Sequence, residues 1–76
     1  MDFATLLSKL HALDFDILYI KTIPYGQQVR LACGAVINVF DTGTVTVQGK
    51  THAYYRERAW VLLRHILPLT TRWCIK

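Results

Sequence analysis

The sequence predicts an α+β domain: a helix, a four-stranded antiparallel sheet, a second helix and a short C-terminal tail, with both helices on one sheet face. Three observations carry this. Phe3, Leu6, Leu7 and Leu10 recur at helical spacing. From Gln28 to Lys50 the apolar positions alternate with polar ones, the period of a half-buried strand. Tyr55, Ala59, Leu62, Leu63 and Ile66 then return to helical spacing before Pro68. Consecutive strands flanked by helices, rather than alternating with them, give one sheet with the helices gathered on one side.

The first helix is expected from Asp2 to Leu13. Asp2 suits the N-cap, where a carboxylate accepts backbone N–H groups and meets the positive end of the helix dipole. Asp14 to Asp16 break the helix, and Ile17 to Thr22, β-branched and aromatic, form the first strand. Pro24-Tyr25-Gly26 is a turn, because Pro fixes its own φ and Gly tolerates a positive one. Gly34 separates two apolar runs, as a tight turn or as a bulge in a bent strand. Asp41-Thr42-Gly43 is a short hairpin loop with Gly in the left-handed position. Gly49-Lys50-Thr51 closes the fourth strand, and Thr51 is the expected N-cap of the second helix. Pro68 ends that helix. In the tail from Leu69 to Lys76, Thr71, Trp73 and Ile75 alternate, so it adds an edge strand or packs on the sheet.

Alternation assigns the two faces of the sheet. Val29, Leu31, Cys33, Ala35, Ile37, Val39, Val45 and Val47 fall on one side and make an aliphatic core. Gln28, Arg30, Val36, Asn38, Phe40, Thr44, Thr46 and Gln48 fall on the other. A face meant only for solvent would carry more Lys and Glu. This one mixes amides, hydroxyls, a guanidinium and an aromatic ring, the composition of a working surface.

At 76 residues the chain is one domain, 1–76, and 53% hydrophobic residues argue against disorder. No apolar run approaches the ~18 residues of a membrane span. The N-terminus lacks the basic and apolar pattern of a signal peptide. Cys33 and Cys74 stand far apart with no CxxC pair, so reduced thiols and a cytoplasmic location are expected. His11, His52 and His65 have no metal-ligand spacing. The four Asp and one Glu sit mostly at caps and turns, and no Walker loop or dinucleotide fingerprint is present. The expectation is a non-enzymatic protein without cofactor or metal.

The net charge of +4 is unevenly placed. Residues 1–45 carry three basic and four acidic side chains, and residues 46–76 carry six basic and one acidic. A basic half-chain favours an anionic partner, most often nucleic acid. The same charges also serve solubility. On the second helix Arg56 and Arg58 lie about 200° apart, so its cations form no single stripe.

The element order, with the stretch VFDTGTVTVQGK, resembles the TATA-box-binding-protein-like fold. It is most similar to the small N-terminal substrate-binding domain of type III ribonucleases H. Phe40, Thr42, Gly43, Val45, Val47, Gln48, Gly49 and Lys50 match that domain's pattern of an aromatic residue, a Ser/Thr-Gly turn, an alternating strand and Gln-Gly-Lys before a helix. Thr44 departs from it, standing where a Lys usually follows the turn Gly. No ribonuclease catalytic domain follows in the sequence, so the resemblance implies binding rather than cleavage, on the sheet face opposite the helices.

The expected nucleic-acid contacts are therefore Gln28, Asn38, Thr44, Thr46 and Gln48 toward bases or sugars, and Phe40, with Val36 and Tyr19, for apolar contact or stacking. Lys21, Arg30 and Lys50 are expected to meet phosphates. Arg72 and Trp73 form a candidate anchor for a protein partner, since aromatic and Arg residues are enriched at binding hot spots. An alternative reading is a protein-interaction module or inhibitor from a phage or mobile element. It resembles anti-CRISPR proteins in size and charge only. A homodimer, edge to edge or face to face, would bury the unprotected strand edges or the exposed face.

Overall fold

A computed structural model describes residues 2–49 and 59–75, with the side chains of 59, 60 and 75 left aside. The chain is α+β, as its periodicity predicts, but the sheet has five strands and is mixed. In chain order the elements are α1 (Phe3–Ala12), β1 (Ile17–Ile23), β2 (Gly26–Leu31), β3 (Val36–Phe40), β4 (Val45–Gly49), α2 (Ala59–Ile66) and β5 (Arg72–Ile75). Strands β1 to β4 form an antiparallel meander in sequential order. The tail supplies β5, paired parallel to β4. A parallel neighbour needs a crossover that returns the chain to its starting end, and the segment between β4 and β5 contains α2. The four-stranded antiparallel expectation fails at this point. A four-residue strand in a short tail carries too little pattern to reveal its direction.

Helix α1 begins as its sequence dictates. The Asp2 carboxylate accepts the Thr5 backbone N–H at 2.7 Å. Its end is a Schellman motif, with Asp14 N–H donating to His11 C=O and Phe15 N–H to Leu10 C=O, both at 3.0 Å. Asp14 occupies the left-handed position at φ 59° that Gly usually takes, and Asp tolerates it better than most residues. Phe15, just past that turn, packs against the core.

The hairpins divide into two kinds. The β1–β2 loop is Pro24-Tyr25, and Tyr25, not Gly26, takes the positive φ of 64°. Gly26 is needed for another reason. A Cβ there would run into the Val39 carbonyl and come within 2.9 Å of Phe40 Cα in β3. The next two loops share one hydrogen-bond pattern. Gly34 N–H donates to Leu31 C=O and Leu31 N–H to Ala35 C=O; Gly43 N–H donates to Phe40 C=O and Phe40 N–H to Thr44 C=O. Gly34 and Gly43 sit at φ 98° and 89°. This is the tight turn with a left-handed Gly that joins three-residue hairpins, so Gly34 marks a turn rather than a bent strand.

The core lies between the helices and one sheet face. Leu6 and Leu10 of α1 and Leu63 of α2 are buried with Val29, Leu31, Ile37, Val39, Val45 and Val47 of the sheet, and with Ala35 and Leu67. Cys33, in the β2–β3 turn after β2 ends at Leu31, is half-buried and packs against this core. One expected core member differs. Leu62 is exposed, since Leu63 takes the inward position. The expected N-cap Thr51 and stripe residue Tyr55 lie outside the described residues. Both cysteines are free thiols. Among the described residues no helix is long and apolar enough to cross a membrane.

Candidate nucleic-acid interface

Strand register builds the surface opposite the helices as cross-strand rows. One row runs across all five strands: Lys21, Gln28, Asn38, Thr46 and Arg72 are successive partners from β1 to β5. The adjacent row is Tyr19, Arg30, Val36, Gln48 and Cys74. A third, shorter row is Ile23, Gly26 and Phe40. With strands ~4.8 Å apart, Lys21 and Arg72 bracket a strip roughly 19 Å wide.

The middle of the first row is a hydrogen-bonded ladder. The Tyr19 hydroxyl reaches Gln28 Oε1 at 3.5 Å, Gln28 Nε2 donates to Asn38 Oδ1 at 2.8 Å, and Asn38 Nδ2 donates to Thr46 Oγ1 at 3.0 Å. Asn38 is 4% exposed. The sequence places Asn38 correctly on this face but expects it to be accessible. In the structure its neighbours bury it, and its amide is spent inside the protein. Gln28 and Thr46 are half-buried for the same reason. Gln28, Asn38 and Thr46, three of the groups suited to reading base edges, therefore hold one another, while Gln48 stays exposed in the adjacent row.

The charged groups remain outside the ladder. Lys21, Arg30 and Arg72 are exposed on this face. No carboxylate among the described residues shares their rows. The four aspartates lie at the ends of elements: Asp2 at the start of α1, Asp14 and Asp16 between α1 and β1, Asp41 in the β3–β4 turn. Hydrogen bonding to Thr5, first through its side chain and then through its backbone N–H, holds the Asp2 carboxyl below its ordinary pKa. Asp2 and Asp41 line a groove with Phe3, Tyr25 and Phe40. Phe40 thus sits at the acidic margin of the sheet, away from the cations, and half-buried.

Thr44 lies in the β3–β4 turn, where its hydroxyl accepts from Thr42 Oγ1 at 3.1 Å. Lys50 lies outside the described residues. Arg72 and Trp73 lie on opposite faces of the sheet. Consecutive strand residues face opposite sides, so Arg72 joins the cationic face while Trp73 packs against the core. Arg72, expected with Trp73 at a protein partner, stands at the far end of the row begun by Lys21, a position that only the β4–β5 pairing reveals. No group of three or more His, Cys, Asp or Glu side chains converges on a possible metal site among the described residues.

Comparisons with family models, with curated proteins and with solved structures return no match.

Proposed function

We propose that the sheet face opposite the helices binds nucleic acid through its phosphate backbone, as a non-enzymatic module. One observation carries this reading: three cations on one sheet face, Lys21, Arg30 and Arg72, with every described carboxylate placed elsewhere. Phosphate contacts position a protein on nucleic acid without reading sequence. The ladder of Gln28, Asn38 and Thr46 is internally satisfied, which favours binding of low sequence preference. Tyr19, 41% exposed beside Arg30, offers a ring for stacking on an unpaired base. The resemblance of VFDTGTVTVQGK to the ribonuclease substrate-binding domain points to the same sheet face.

Fluorescence anisotropy with duplex DNA, RNA–DNA hybrid and single strands tests it across a salt series. Three phosphate contacts per chain give a slope of log K against log salt near −2.7 for a duplex, at ~0.9 per contact. Absence of binding to every one of these at ~50 mM salt, the low end of the range where such contacts are strongest, rejects the reading. Scrambling the sequence of the probe should leave the affinity nearly unchanged.

A further inference from the structure

The sheet has two edges of different character. Strand β5 is four residues long and carries Arg72, a short, charged edge of the kind that resists pairing. Strand β1 is seven residues long and has one charge, Lys21. Leu18 is 60% and Ile20 52% exposed, beside the exposed Tyr19. A long apolar edge with open hydrogen-bonding groups is a template for another strand.

The register says which groups are open. Leu31 N–H donates to Ala35 C=O on the β3 side. Hydrogen-bonding direction alternates along an antiparallel strand, so Arg30, Gln28 and Gly26 turn toward β1. Their partners Tyr19, Lys21 and Ile23 are thereby engaged with β2. Ile20 and Thr22 present their N–H and C=O outward, to the free edge.

We propose that β1 pairs antiparallel with β1 of a second copy of this chain about a twofold axis at Ile20. The outward parity leaves few registers. Centring on Lys21 sets it against the other chain's Lys21, and centring on Thr22 brings Pro24 into the ladder, where it has no N–H to give. Centring on Ile20 opposes Ile20 to its own copy, Leu18 to Thr22 and Tyr19 to Lys21. The last pair puts an ammonium against an aromatic ring, a favourable contact. Like charges are kept apart, and two exposed isoleucines are covered. The β1–β2 irregularity between Ile17 and Tyr19 ends the paired stretch. The product is a continuous ten-stranded sheet, twice the five strands of one chain, with both cationic faces on the same side.

Sedimentation without nucleic acid tests this independently of the binding reading. The full chain at micromolar concentration should run at twice its 8.8 kDa mass. Ile20→Lys and Ile20→Glu should each run as folded monomers by circular dichroism, and an equimolar mixture should return to the dimer mass. That rescue is specific to Ile20 facing Ile20, because no other register opposes the two substituted positions. A monomeric wild-type chain overturns the proposal, as does a dimer that survives both single substitutions. A mixture of folded variants that stays monomeric overturns the register.

Discussion

Asn38 defines how polarity is used at the scale of single residues. Its position on the sheet was legible from alternation, but its 4% exposure was not. Burial depends on the flanking Gln28, Thr46, Val36 and Phe40, whose packing across three strands no local period encodes. Truncating it strands a Gln28 donor and a Thr46 acceptor in a half-buried site. Asn38→Ala should therefore destabilise the domain by about 1–3 kcal/mol, read by chemical denaturation, and loss of binding in that variant would not identify a contact. Asp2 makes the opposite case, a local cap on an exposed side chain. Its carboxyl is held below the ordinary value by its hydrogen bonds to Thr5. A depressed folded pKa means that this contribution is fully present above the unfolded value of 3.8. It is lost as pH falls through the folded pKa. The acid limb of a stability–pH profile should accordingly flatten in Asp2→Ala, with no change near neutral pH beyond the loss of the cap itself.

Glycines separate two demands at the scale of elements. Gly43 faces open space but holds φ at 89°, so Gly43→Ala should cost about 1–2 kcal/mol, the price of a side chain in left-handed backbone. Gly26 has no such backbone. A Cβ there meets backbone atoms of Val39 and Phe40, which cannot swing aside as a side chain can. Gly26→Ala should cost more than Gly43→Ala in thermal denaturation, since β2 and β3 must separate to admit it. The sequence pointed to turns at both sites, yet it assigned Gly26 the positive φ that Tyr25 adopts. Turn chemistry is local and readable, whereas close approach between strands follows from register. The same limit explains β5. The three meander strands from Gln28 to Gly49 follow from alternation and turn residues. The parallel fifth strand depends on where the chain re-enters after α2, which the tail does not announce. The place of Arg72 at the far end of the row begun by Lys21 is illegible for that reason, and with it the full width of the cationic face.

The two faces of the sheet carry different chemistry. One holds Val29, Leu31, Ile37, Val39, Val45 and Val47 against the helices; the other carries Arg30 and Arg72 in solvent. Alternation puts these cations on opposite sides of the sheet from the core, so they can be changed without touching it. Exposed substitutions remote from caps and buried networks usually shift stability by within about 0.5 kcal/mol. Arg30→Ser with Arg72→Ser should thus keep the midpoint of chemical denaturation close to that of the unaltered chain. Each lost phosphate contact should also lower the steepness of the salt dependence by roughly 0.9 per chain. The double variant should then bind duplex with a slope near −0.9, the share left to Lys21 at one contact. Lys21 is kept because it lies in β1, where a change would disturb the edge as well as the charge. A double variant with the original slope would place the phosphate track elsewhere on the molecule. If affinity and stability fell together, the two faces would be coupled, and the division between a packing face and a binding face would not hold.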